Sequence, residues 1–305
     1  MEKEKCGSKG ESARKYVDIL TDAGFKAVFG DRRNKEVLID FLNVVLPDHR
    51  KVRDLEYSTT EIPSFTLETK SVRLDLRCEG DDGTRFIVEM QQSGQRHFFK
   101  RCVEYAAKVY DSGSRRGGDY DIEPVYFIGI LGRDRIFERC GPEWKDRYIS
   151  EYTFREKHTG EVPDESISLI FVELDRFVKP LDECVGLTEK WCYALKYVGK
   201  LHELPEGLRV QAFERLFAAC EIARFSRDKK LQYEKDMITE RDYRNILETA
   251  RENGFAAGLA EGEAKGLAAG KAEVAQTMLT MGLSDDVILQ ATGLSDDELA
   301  SLKEN

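Results

Sequence analysis

SVRLDLRCEGDDGTRFIVEMQQ, residues 71–92, is the stretch on which the reading of the fold turns. From Ser71 to Cys78, Val72, Leu74, Leu76 and Cys78 alternate with Arg73, Asp75 and Arg77. That is the two-residue period of a strand with one apolar and one charged face. Glu79-Gly80-Asp81-Asp82-Gly83-Thr84 is dense in turn formers. Beyond it Phe86, Val88 and Met90 alternate with Arg85, Ile87, Glu89 and Gln91. Two such strands joined by such a turn predict a β-hairpin. Folded symmetrically about Asp82, residues equidistant from it face one another, and Asp75 stands opposite Glu89 on a polar face turned to solvent.

Upstream, Tyr16–Leu20 and Gly24–Phe29 form an apolar lead-in around Asp22-Ala23-Gly24. Val37, Leu38, Phe41, Leu42 and Val45 then fall on one helical face, with Asn34 as the cap, Pro47 as the stop and Glu36 on the opposite flank. Lys51–Tyr57 reads as a short strand. Downstream, Phe98, Cys102, Tyr105, Ala106 and Val109 recur at helical spacing, and Arg96, His97, Lys100, Arg101 and Lys108 make that helix basic. PVYFIGIL (124–131) and SLIFVEL (168–174) are continuous apolar runs of the length of strands buried on both faces. Helix, hairpin, helix and two buried strands predict an α/β fold, a mixed sheet flanked by helices, over residues 15–180.

An all-helical region is expected over 181–250, and a helical tail over 251–305 in which Gly254, Gly258, Gly262, Gly266 and Gly270 recur every fourth residue. Each glycine weakens a helix by about 1 kcal/mol relative to alanine. The tail is therefore either a flexible connector or a helix that needs a close partner. GLSDD occurs at 282–286 and again at 293–297, and Ser295 with Glu298 has the capping-box spacing. Two short helices resembling part of a helix-turn-helix are expected there.

The chain has 305 residues and a net charge of -10, with a mean hydropathy of -0.49 and a pI near 5.2. Taken alone, that charge argues against a nucleic-acid partner unless positive charge is gathered in a patch. Seven scattered cysteines without a CxxC pair point to reduced, buried thiols rather than disulfides or a zinc cluster. No run approaches the roughly 20 apolar residues of a membrane span, so no membrane partner is expected, and the charged first residues place the chain in the cytoplasm.

Hydrolysis of a phosphodiester with a divalent metal requires hard oxygen ligands, an activated water and room for the scissile phosphate. Asp75 and Glu89 on adjacent strands meet the first need, and Gln91 projects to the same side as Glu89. On spacing alone, the charged face of a solvated hairpin explains the same residues more simply. The flanking basic helix, able to hold a phosphate backbone, shifts the balance.

Six blocks in order, FKAVFGDRRNKEVLIDFLNVVL (25–46), KSVRLDLR (70–77), FIVEMQQ (86–92), FFKRCVEYAAKVY (98–110), EPVYFIGIL (123–131) and FVELDRF (171–177), resemble the PD-(D/E)XK nuclease family transposases. The resemblance implies a restriction-endonuclease-like sheet and a metal-dependent DNA endonuclease linked to recombination or defence against foreign DNA. It implies Asp75 and Glu89 as ligands of Mg²⁺, with Mn²⁺ or Ca²⁺ as substitutes and the Met90 carbonyl as a further ligand. Gln91 stands where much of the wider superfamily carries lysine, so its positive charge is missing. Glu36 matches an acid on the first helix. Arg101 and Tyr105 match an Arg and a Tyr that contact phosphate or brace the acids, and Arg96, Lys100 and Arg101 form the expected DNA contacts. Glu173 matches an acid of the last block, for which a Lys or Arg partner is the plain expectation. The helical tail suggests a homo-oligomer. The alternative is a catalytically silent relative that binds DNA or protein and self-associates through that tail.

Overall fold

The computed structural model describes residues 14–62, 72–92, 94–114, 121–132, 135–139 and 141–304. In chain order the elements are α1 (Asp22–Val28), α2 (Lys35–Val45), β1 (Leu55–Tyr57), β2 (Glu61–Ile62), β3 (Val72–Arg73), β4 (Leu76–Gly80), β5 (Arg85–Gln91) and α3 (Phe98–Asp111). There follow β6 (Val125–Leu131), β7 (Ile149–Thr153), β8 (Ile167–Glu173), α4 (Leu187–Tyr197), α5 (Gln211–Cys220), α6 (Arg227–Thr280), α7 (Asp285–Thr292) and α8 (Asp296–Glu304). Ser71, the first residue of the expected strand, lies outside the described residues.

Six strands form one mixed sheet in the order β1-β4-β5-β6-β8-β7, and β2 with β3 makes a separate ribbon. β5, β6 and β8 run parallel, while β1, β4 and β7 are antiparallel to their neighbours. The parallel strands are central and covered on both faces, which is why VYFIGIL is apolar without alternation. On one face Leu76, Val88, Ile128 and Val172 meet Phe25, Phe41, Trp191 and Phe213 from α1, α2, α4 and α5. On the other, Ile87, Phe127 and Phe171 meet Phe98, Cys102 and Val109 of α3.

The hairpin has the expected symmetry about Asp82, with Leu76 facing Val88 and Glu79 facing Arg85. Two expectations need correction. The alternation does not run through the first strand as one face: Val72 and Leu74 pack on the α3 side, Leu76 and Cys78 on the opposite side. The chain bends at Asp75, and Leu74 gives its N–H to the Thr60 carbonyl (2.8 Å) instead of to β5. Nor does the second face of β5 look into solvent, because α3 covers it and Ile87 is fully buried.

The helices after residue 180 complete the cover of the sheet. Trp191 of α4 and Phe213 of α5 lie in one core with Phe41 of α2, and Arg215 of α5 clasps Asp40 of α2 through two bonds of 3.0 and 2.6 Å. The described cysteines, Cys78, Cys102, Cys184, Cys192 and Cys220, are free and buried. The chain divides into two compact units, Met1–Glu240 and Arg241–Asn305.

The second unit has a core of its own, Ala275, Ile288 and Leu299 with Met278, Leu279, Leu289, Leu294 and Leu302 around them. Gly293 ends α7 in the left-handed region, φ 62°. The capping box closes as expected: Glu298 accepts from the Ser295 N–H at 2.8 Å, and the Ser295 hydroxyl accepts from the Glu298 N–H at 3.3 Å. Helix α6 continues through Gly254, Gly258, Gly262, Gly266 and Gly270, where a Cβ would meet nothing within 4 Å. Among the described residues no helix is long and apolar enough to cross a membrane.

Candidate active site

The β4–β5 ladder stops at the pair Leu76 and Val88. Past that point two side chains take over the bonding between strands. Glu89 Oε1 accepts the Asp75 N–H at 2.9 Å, and Asp75 Oδ2 accepts the Met90 N–H at 3.1 Å. Each acid thus uses one oxygen to hold the other's strand, and Asp75 Oδ1 and Glu89 Oε2 have no protein partner among the described residues. A residue's N–H and C=O leave a strand on the same side, so the Met90 carbonyl faces the gap left by β4. Leu74, its natural ladder partner, is bonded to Thr60. Two carboxylate oxygens and a spare carbonyl are a hard donor set.

The expectation of solvent-facing acids also needs correction. Glu89 is only 7% exposed, and Asp75 is half-buried. Glu89 lies on the α3 face between strands and is flanked by Gly129 of β6. Burial is the main force raising the Glu89 carboxyl, to about 8, and the neighbouring Asp75 charge adds to it. Burial likewise raises Asp75, against the lowering effect of the Met90 N–H. Two carboxyls pressed toward the neutral form side by side would be relieved by a cation.

Gln91 follows on the same face, and its Oε1 accepts from Arg101 Nη2 at 2.9 Å. Arg101 also bonds Gln95, and its guanidinium lies over the rings of Phe98 (5.1 Å) and Tyr105 (5.7 Å). Tyr105 packs at the edge of the α3-side core. Arg101 therefore belongs to the site itself, and its charge lowers both acids. Arg101 of α3 thus sets a positive charge against the Gln91 side chain. Arg96 and Lys100, at the start of that helix, are exposed. His97 precedes it with φ 61°, a left-handed conformation rare outside glycine.

The structure places Glu36 on an exposed turn of α2, where its charge acts on Lys35. The acid whose charge acts on Asp75 is instead Asp22, in the first turn of α1, together with Lys26 one turn later. Asp22 and Lys26 pair at 2.7 Å and are half-exposed. Reading the sequence missed both. Thr21 caps α1 by accepting the Gly24 N–H at 2.9 Å, and a Thr-Asp start with Lys four residues after the Asp was the available sign of a short helix. Glu173 takes the plain role expected of it, pairing with buried Arg139 at 3.0 Å. Among the described residues no group of three His, Cys, Asp or Glu side chains converges.

A family profile described as PD-(D/E)XK nuclease family transposase matches residues 19–250. The chain belongs to that family. A second profile, the C-terminal HTH domain of the Rpn/YhgA-like nuclease family, matches residues 269–304, which hold the end of α6, α7 and α8. Comparison with curated proteins and with solved structures gives no match. The family's domain takes in α4, α5 and the first part of α6 as well as the sheet, in keeping with the single core that α4 and α5 share with α2.

Proposed function

We propose that this chain is an endonuclease that hydrolyses DNA with a divalent metal, Mg²⁺ in the first place. The observation that carries the reading is the reciprocal bonding of Asp75 and Glu89, which fixes both carboxylates by the main chain and leaves one oxygen of each for a cation. Those two oxygens and the Met90 carbonyl would hold it. When bound, the metal supplies Lewis acidity and an activated water. Gln91, set by its bond to Arg101, orients that water, and the Arg101 guanidinium faces the charge that develops on the phosphate. Arg96 and Lys100 hold the flanking backbone. Family membership and the HTH match support DNA as the substrate, with recombination or defence against foreign DNA as its setting.

The test is nicking of supercoiled plasmid by purified protein with Mg²⁺, Mn²⁺ or EDTA, beside Glu89→Gln. Cleavage is expected with metal, absent with EDTA, and reduced by at least about 10²-fold in the variant. Equal activity in the variant would overturn the assignment. One observation favours a second reading: the HTH match over 269–304 fits a relative that binds DNA without cutting it. Absence of cleavage with every metal, alongside retained binding, would select it.

A further inference from the structure

At the carboxyl ends of the parallel strands lies a cavity of about 400 Å³ lined by Arg14, Lys196 and Lys200 together with Asp18 and Asp175. Its volume falls within the range of roughly 300–1,000 Å³ that takes a small ligand, and its place is where open sheets with parallel strands bind theirs. Gly132, after β6, and Leu20, just before α1, complete its wall. The same wall belongs to the acid site. The Gly132 N–H donates to the Gln91 carbonyl at 2.8 Å, and the Leu20 carbonyl accepts from the Gln92 side chain.

The lining charges are unequal in their engagements. Asp175 faces Arg135 at 3.4 Å, and buried Asp18 accepts the Leu20 N–H at 3.1 Å. Arg14, Lys196 and Lys200 have no acid within ion-pair distance among the described residues. Lys196 is held in place, donating to the Leu174 carbonyl at 2.7 Å and the Phe177 carbonyl at 2.6 Å. An ammonium has three N–H donors, so one is left for a ligand. With a fixed cation and two exposed ones against two acids, the lining keeps an excess of one positive charge, which fits a phosphate better than a neutral group.

We infer that this cavity receives a further backbone phosphate of the DNA strand whose phosphodiester is held at Asp75 and Glu89, an inference that rests on the nuclease reading. The strand would pass over the Gln91–Gln92 and Gly132 wall from one site to the other.

The test uses full-length protein carrying Glu89→Gln, so that DNA is bound and not cut. Labelled oligonucleotide binding is followed by anisotropy across a salt series for Arg14→Glu, Lys200→Glu and, as a charge-matched control, Lys157→Glu. Lys157 follows β7, whose last residue Thr153 pairs with Ser168 at the start of β8, the opposite end of the sheet from the cavity. Arg14→Glu and Lys200→Glu are each expected to weaken binding about tenfold and to flatten the salt slope by about 1, with Lys157→Glu near the parent. In the Glu89→Gln protein without a further substitution, bound oligonucleotide should also slow acetylation of Lys200 but not of Lys157. Equal binding and equal acetylation overturn the phosphate site whether or not plasmid is cleaved. Weakened binding by these variants, where the parent protein fails to cleave plasmid with any of the metals, retains the site and removes the nuclease reading.

Discussion

At the residue scale, the acid pair does two jobs with four oxygens. Two of them close the sheet where the ladder ends, so deletion and neutralisation of these side chains differ. Asp75→Asn and Glu89→Gln keep an acceptor for the main-chain N–H and should lose cleavage while melting near the parent. Asp75→Ala and Glu89→Ala strand a buried N–H and should cost about 1–3 kcal/mol as well, read by urea denaturation; equal stability of the alanine and amide forms would count against the bonding. Glu89 also gives the metal-free protein a pH dependence. Its carboxyl is raised from 4.5 to about 8, so the folded state favours the neutral form. That stabilisation is complete below about pH 4.5 and is lost as pH rises through about 8. The melting temperature in EDTA should fall between pH 5 and 9, less steeply in Glu89→Gln; identical profiles would refute the cause. Which residues face each other was legible from the turn at Asp82. Their burial was not, because a polar letter on a strand says nothing about the helix that will lie over it.

At the element scale, α3 brings a side chain to the candidate site. Arg101, read as contacting phosphate or bracing the acids, is bonded to Gln91, and its truncation to Ala should lower kcat by about 10²-fold with a smaller change in DNA affinity; the reverse pattern would leave it the role of a surface contact. The periodicity of α3 was plain in the sequence, as was that of α2. The bend at Asp75 was hidden, because Val72, Leu74, Leu76 and Cys78 keep perfect alternation while packing on opposite faces. Gly129 is a second silent position. A Cβ there would come within 2.7 Å of the Phe171 ring, so Gly129→Ala should cost about 1–3 kcal/mol through overpacking, visible as a lower urea midpoint. A neutral result would mean the ring is free to move.

At the scale of the whole molecule, the alternation of helices and apolar strands was enough to predict a mixed sheet flanked by helices. The share of α4 and α5 in that core was not legible, since an amphipathic helix does not name the surface it covers. In the second unit the five glycines of α6 stand in open space. Changing Gly258, Gly262 and Gly266 to alanine should therefore raise helix content and stability, by up to about 1 kcal/mol each, followed by circular dichroism. Loss of stability would show that a close neighbour occupies that side of the helix. The net charge of -10 sets a bulk property and leaves local charge open: Arg101, Lys100 and Arg96 gather at one end of α3 regardless of it.

The crossed bonds between Asp75 and Glu89 bear on how such a chain can change over generations. Replacing either acid frees the strand on which the other stands, and with it the other's carboxylate, so a first substitution does most of the damage to a shared metal site and a second adds little. The two positions should behave as one locus, retained together in lineages that cut and drifting together in those that have stopped.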